Sequence, residues 1–237
     1  MELRYVTTRT FLRGWPFAKS TLVICSAHYG DVVQLTGNVC EQFSEVVYDG
    51  KLGWMHSSNL SSVPMRTHNI VKEDAYPNCP AGNMLDLVNM YLSHLPESFI
   101  EKLHRLGWSI VITARDLDMY FYKGKYGGVS GVVDYANRNV YLQDVRQDID
   151  EAIYHEIGHV VDYLSGMVSD SPAFLQIFNL EKEQFHDSTS VGDGHETSCP
   201  REYFASVFSE MMRNPAKCEL EIPKSCTFVA KFVNNFA

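Results

Sequence analysis

The feature that most constrains this chain is the five-residue stretch His155-Glu156-Ile157-Gly158-His159. On a helix, residues four apart lie on one face about one turn apart, so both imidazoles can bind a single metal ion. Glu156 lies one residue round from His155, where its carboxylate can accept a proton from water without binding the metal itself. We therefore predict a zinc-binding helix in which Glu156 acts as the catalytic base.

The residues around this stretch favour a helix. Acidic side chains precede it, as is usual for a first turn, and Gly166 offers a stop after it. Apolar side chains recur at helical spacing and predict one buried face. These are Ile149, Ile153, Ile157, Val160, Val161 and Leu164.

The composition limits the class of protein. The 237 residues are enough for one large or two modest domains. A net charge of -9 argues against nucleic acid as the main partner. No apolar run is long enough to span a bilayer, and the first residues lack the charged-then-apolar pattern of a secretory signal. None of the six cysteines forms a CxxC pair, so we expect no second, structural zinc site.

The first part of the chain, residues 1–63, is rich in short strand patterns separated by turn residues. Evenly spaced short strands predict a small barrel. The predicted strands are Tyr5–Thr8, Thr21–Cys25, Asp31–Leu35, Glu45–Tyr48 and Gly53–His56. Residues 64–80 contain three prolines without any periodicity, and we predict a linker there.

The remaining part, residues 81–237, mixes helical and strand patterns, so the fold class is α+β. We predict a strand at Trp108–Thr113 and a hairpin of Gly131–Tyr135 with Asn139–Leu142. Helices are predicted at Met84–Leu95, Ser98–Leu106, Pro172–Phe185, Pro200–Met212 with Ser198 as N-cap, and Phe228–Asn235 after a Cys-containing loop.

The hairpin before the zinc helix suggests a place for substrate. The strand just before such a helix commonly borders the cleft, where its free edge can pair with an extended peptide by strand addition. On this interpretation Val133, Tyr135 and Tyr141 contact the substrate, whereas the alternative is a plain hairpin within the sheet.

A catalytic zinc ion usually has three protein ligands, so a third must follow the two histidines. Glu202 is favoured because it lies in the first turn of a helix beside Ala205, whose small side chain lets that helix pack closely. The alternatives that stay open are His186 and His195 in a polar loop, and Glu196 and Glu210.

Three segments resemble the catalytic domain of anthrax lethal factor and the related clostridial Pro-Pro endopeptidases. They are His155–Gly166, Glu202–Ala205 with Phe208, and Pro223–Phe228. The resemblance implies a gluzincin-type, zincin-like metallopeptidase with one zinc ion per chain, held by His155, His159 and Glu202. It also implies a secreted or exported, toxin-like protein that acts on proteins or peptides.

The N-terminal part resembles bacterial SH3-like domains, most clearly at Asp49–Leu60 and more loosely at Tyr29–Leu35 and Thr10–Pro16. Such modules often dock peptides or cell-wall material. The alternative is a packing domain in which Trp54 belongs to the core.

The chain departs from the lethal-factor pattern at two positions. That family has a Tyr seven residues before the ligand Glu, where this chain has His195, and a Glu four residues after it, where this chain has Ser206. We expect His195 to hold the oxyanion, since a side-chain imidazole can donate the required hydrogen bond. The second change is expected to weaken the support of a ligand.

The sequence thus predicts a monomeric zinc endopeptidase of α+β class, an SH3-like barrel followed by a gluzincin domain. Zinc-activated water would cleave the peptide bond with Glu156 as base, and the SH3-like module would direct the enzyme to its target. Two alternatives remain. One is an inactive relative that binds zinc and acts as a peptide- or cell-wall-binding protein, and the other is a protein in which the SH3-like module alone functions.

Overall fold

The computed structural model describes residues 2–7, 10–17, 22–28, 30–62, 68, 70–74, 83–186 and 194–236. The chain divides into two compact units. The first comprises Met1–Val71 and Pro80–His94, and the second comprises Lys72–Cys79 and Leu95–Ala237. Most of the predicted linker, residues 64–80, lies outside the described residues. The division into domains 1–63 and 81–237 stays a prediction.

The first unit is an antiparallel sheet of seven strands in the order β3-β2-β6-β5-β4-β1-β7. The strands are β1 (Glu2–Val6), β2 (Thr10–Arg13), β3 (Val23–Ala27), β4 (Val32–Cys40), β5 (Phe43–Tyr48), β6 (Lys51–His56) and β7 (Leu60–Ser61). Because side chains alternate along a strand, one face collects the buried core of Val6, Leu12, Ala27, Val33, Val46 and Met55. Strands β3 and β7 form the two edges, and barrel closure is not shown for the described residues.

Two predictions for this unit need correction. Strand β2 was missed, because Gly14, Trp15 and Pro16 directly after it signal a turn. The first helix, α1 (Asn83–Leu92), ends three residues before the predicted Leu95. Parts of two predicted strands, Thr8 and Thr21, lie outside the described residues.

The second sheet has four strands in the order β10-β11-β9-β8. They are β8 (Val71–Glu73), β9 (Ser109–Thr113), β10 (Gly131–Asp134) and β11 (Asn139–Gln143). The predicted hairpin is present, since β10 pairs antiparallel with β11. β11 also pairs parallel with β9, so both of its sides are occupied. The edge strands of this sheet are β10 and β8, so the free edge of the hairpin belongs to β10 and not to β11, the strand directly before α3.

Six helices complete the second unit: α2 (Glu97–Arg105), α3 (Arg146–Leu164), α4 (Pro172–Glu181), α5 (Pro200–Arg213), α6 (Pro215–Glu221) and α7 (Pro223–Phe236). The predicted loop after α5 is wrong, because α6 occupies it and α7 begins at Pro223. A buried carboxylate explains the early start of α7. Glu181 accepts hydrogen bonds from the backbone N–H groups of Lys224 (3.1 Å) and Ser225 (2.8 Å), which are orphan donors of the first turn.

Helices α3 and α5 pack against each other at close range. A Cβ atom on Gly158 would lie 2.8 Å from the Cα of Ala205, which is closer than real contacts allow. The small Ala205 thus lets α5 approach α3, as the sequence predicted. The N-cap of α5 is Cys199 and not Ser198, whose hydroxyl instead donates to the carbonyl of His195 at 2.6 Å.

Candidate metal centre

The helix α3 presents its two motif histidines on one face. His155 and His159 lie one turn apart, with ring centroids 4.7 Å apart and ring planes at 86°. Their Nε2 atoms are separated by 3.1 Å. The opposite face of α3 is apolar and buried in the core, which fixes the direction in which both imidazoles point.

The first turn of α5 brings Glu202 to this pair. Its Oε2 lies 3.1 Å from Nε2 of His155 and 3.3 Å from Nε2 of His159. Among the described residues, these three form the group that could hold a metal ion. Burial alone would raise the pKa of Glu202, but the hydrogen bonds from both imidazoles hold that pKa well below its ordinary range. The carboxylate therefore stays ionised and available as a ligand.

The donor set fits a zinc ion. Two imidazoles and one carboxylate are a ligand set that catalytic zinc sites use, with a fourth position left for water. Ligands about 2.0–2.2 Å from a tetrahedral zinc ion lie roughly 3.3–3.6 Å from one another. The three separations of 3.1, 3.1 and 3.3 Å are close to that range, so the three atoms can share one ion.

The carboxylate of Glu156 lies in a confined space next to β10. Its side chain is buried, and burial raises its pKa to about 7, against the lowering effect of His155. A Cβ atom on Gly131 would lie 2.6 Å from Cγ and 2.9 Å from Oε1 of Glu156. The glycine in β10 therefore provides the room that the Glu156 carboxylate occupies.

His195 also reaches the centre. It begins a short 3-10 turn ahead of α5, and its Nε2 lies 3.1 Å from Oε2 of Glu202. Its side chain is 65% exposed, so the imidazole borders the centre from the solvent side. The structure thus brings together all five residues that the sequence assigned to catalysis and metal binding.

The other possible ligands lie apart from this group. His186 is 4.0 Å from a carboxylate oxygen of Glu221. Glu210 is buried, 3.3 Å from Nζ of Lys217. Glu196 shares the turn of His195 but is not one of the three grouped residues.

The residues assigned to substrate lie at different places on the sheet. Val133 is half-buried on the edge strand β10, and Tyr135 follows the end of that strand. Tyr141 lies on the interior strand β11, where its hydroxyl accepts a hydrogen bond from Asn139 and its ring packs on Phe121 at 5.3 Å. Strand addition at β10 is thus open to Val133 but not to Tyr141.

Aromatic residues that the sequence interpretation missed also border this region. Tyr163 lies four residues after His159 on α3, and its ring is 4.8 Å from that of Tyr135. Tyr122 ends a short π-helical turn, Asp118–Tyr122. Burial raises the pKa of Tyr122, and the nearby Glu156 adds to this shift. The spacing of four residues from His159 could have placed Tyr163 on the same face of α3 as the histidines. No local sequence signal identifies Tyr122.

Two comparisons find known proteins that are similar to this chain. Residues 114–231 match the family described as anthrax toxin lethal factor, N- and C-terminal domain. The solved structure of the Pro-Pro endopeptidase (PPEP-2) from Paenibacillus alvei is similar, with a TM-score of 0.51 and 22% sequence identity. The similarity covers 68% of this chain and 96% of that one. No curated protein matches the chain.

Residues 114–231 are therefore a lethal-factor-like domain, and the α+β fold of this part is confirmed. All five assigned catalytic and metal-binding residues fall within the matched range. The match begins at residue 114, so the SH3-like assignment of residues 1–63 stays a prediction. As the sequence predicted, no helix in the described part of the chain is long and apolar enough to cross a membrane.

Proposed function

We propose that this chain, whose residues 114–231 form a lethal-factor-like domain, is a zinc-dependent endopeptidase of the gluzincin type. The observation that carries the proposal is the convergence of His155, His159 and Glu202 within 4.8 Å of one another, with Glu156 buried beside them. The peptidase family implies proteins or peptides as substrates.

The two imidazoles and the Glu202 carboxylate would hold one zinc ion. When bound, zinc supplies Lewis-acid polarisation of the scissile carbonyl and of the attacking water. Glu156 takes a proton from that water and passes it to the leaving amine. Its confinement between α3 and Gly131 fixes the carboxylate in one direction, which favours a proton transfer of defined geometry.

His195 is proposed to donate a hydrogen bond to the developing oxyanion. The imidazole lies beside Glu202 and is accessible from solvent, so a substrate carbonyl can approach it. Tyr203, a conceivable alternative donor, is fully buried, and its hydroxyl is 2.9 Å from Ser225 Oγ. A side chain held in this way is not available to the substrate.

The substrate is proposed to add as a further strand to the free edge of β10. Val133 and Tyr135 would then contact its side chains, and Tyr163 would extend the contact surface next to Tyr135. We propose that the first unit directs the enzyme to its target, which is supported by the exposed apolar side chains Trp15 and Phe17.

The test is catalytic. Purified wild-type chain and Glu156→Gln would be compared on a peptide library, with zinc measured in both. We expect cleavage by the wild type and loss of cleavage in Glu156→Gln at unchanged zinc content. Equal cleavage by both chains, or no cleavage by either, would exclude the proposed peptidase activity. Zinc binding without cleavage would instead support an inactive relative that binds peptide or cell-wall material.

A further inference from the structure

The side of His155 that faces away from the metal centre contacts a second residue of α5. Ser206 Oγ lies 3.2 Å from Nδ1 of His155. Ser206 is 1% exposed, so water does not compete for this contact. Since Ser206 follows Glu202 by four residues, one turn of α5 contacts His155 at both ring nitrogens.

The chemistry of imidazole gives this contact a direction. A neutral ring that offers Nε2 to a metal carries its proton on Nδ1, and that N–H needs an acceptor. A serine hydroxyl accepts such a hydrogen bond through its oxygen lone pairs. When Nε2 binds the metal, the hydroxyl accepts the hydrogen bond from Nδ1–H, and this bond fixes the rotation of the ring.

We infer that Ser206 is a positioning residue that orients His155 and so sets the metal affinity of the centre. The inference rests on the proposed zinc site but not on peptidase activity. Ser206 acts through His155, and a hydroxyl orients the ring without adding negative charge to the site.

The packing of the two helices makes the contact possible. Gly158 lies against Ala205, the residue directly before Ser206, at a distance that excludes any larger side chain. This brings the backbone of α5 close enough for a side chain as short as serine to reach the ring. Residues within about one turn of α5 therefore provide the close packing (Ala205), the candidate ligand (Glu202) and the support of His155 (Ser206).

The experiment measures the zinc affinity of the full chain by competition with a chromophoric chelator. The variants are Ser206→Ala, which removes the acceptor, and Ser206→Thr, which keeps it. Ser209→Ala is the matched control, because Ser209 is equally buried on α5 but is bonded to Arg213 at 3.3 Å. Thermal unfolding of each metal-free chain separates a loss of affinity from a loss of fold.

We expect Ser206→Ala to bind zinc about 10–100-fold more weakly, as is typical when an outer partner of a ligand is lost. Ser206→Thr should stay near the wild type, and Ser209→Ala should not change. The visible spectrum of the Co²⁺-substituted chain should change in Ser206→Ala alone. Wild-type affinity in Ser206→Ala would overturn this inference and leave the proposed function intact. A wild-type chain that binds no zinc would overturn both.

Discussion

Nε2 of His195 lies 3.1 Å from Oε2 of Glu202, so a residue of the loop before α5 touches the carboxylate at the centre of the cluster. The contact places an imidazole where the resembling peptidases have a Tyr. Because 65% of the His195 side chain is exposed, the proposed substrate carbonyl can approach it from the solvent side. The first prediction follows from this position.

Replacing His195 with Ala should lower turnover by about 10²–10³, the usual cost of one oxyanion donor, with zinc content unchanged. His195→Tyr should restore part of the activity. His186→Ala is the control, since His186 lies next to Glu221 and not in the cluster. Steady-state kinetics with metal analysis decides the matter. Unchanged turnover would exclude His195 as the oxyanion donor. Loss of zinc would indicate that His195 is a metal ligand.

Metal removal tests the ligand set. Elemental analysis should give about one zinc per chain, since the three grouped residues form one site. Dialysis against a chelator should abolish cleavage, and added zinc should restore it. Glu202→Ala should lose the metal, whereas Glu196→Ala should retain it. Full zinc content in Glu202→Ala would point to a different third ligand.

The contact between α3 and α5 should be sensitive to a single methyl group. In Gly158→Ala the new Cβ would lie 2.8 Å from the backbone of Ala205, which cannot move away as a flexible side chain can. We expect a loss of about 1–3 kcal/mol in the free energy of unfolding, measured with urea, together with weaker zinc binding. Gln147→Ala, on the exposed side of the same helix, should change stability by less than about 0.5 kcal/mol. Equal stability of Gly158→Ala and wild type would contradict the close packing.

The pairing of Tyr135 with Tyr163 should influence which peptides are cleaved. Their rings are 4.8 Å apart, and both side chains remain partly exposed. Tyr163→Ala should change the cleavage profile of a peptide library and raise KM while zinc content is unchanged. Tyr120→Ala removes an exposed ring that packs against Phe121 and serves as the control. The same profile in both variants would exclude Tyr163 from the substrate contact.

The parts of the site that the sequence predicted are those that local periodicity determines. The spacing of His155 and His159 is a property of one helix, and the first-turn position of Glu202 is a property of another. The contacts between these helices depend on tertiary packing. For this reason the sequence marks Ser206 only as a departure from a family pattern and does not reveal its contact with His155.

Other differences have the same origin. The early start of α7 depends on the carboxylate of Glu181, which arrives from α4. The turn that carries Tyr122 depends on the buried Asp118, whose carboxylate accepts hydrogen bonds from the N–H groups of Tyr126 and Gly127. Neither carboxylate has a sequence signature that reveals its distant partner, because the partner is chosen by the fold.

The last prediction concerns Gly131 and the catalytic base. In Gly131→Ala the added Cβ would lie 2.6 Å from Cγ of Glu156 and 2.9 Å from Cβ of Ala152. The Cβ of Ala152 is fixed to the backbone of α3 and cannot move aside. The side chain of Glu156 must therefore rotate away. None of the three grouped ligands is displaced by this change, so zinc affinity should stay near that of the wild type.

Turnover of Gly131→Ala should fall by about 10²–10⁴, the contribution of a well-placed general base. Val133→Ala, two residues further along the same strand, should affect KM more than kcat, because Val133 is proposed to contact the substrate. Wild-type turnover in Gly131→Ala would show that β10 does not confine Glu156. Loss of zinc would show that the substitution disturbs the metal ligands as well. A loss of turnover with full zinc content would assign the base to Glu156 independently of any substitution at residue 156 itself.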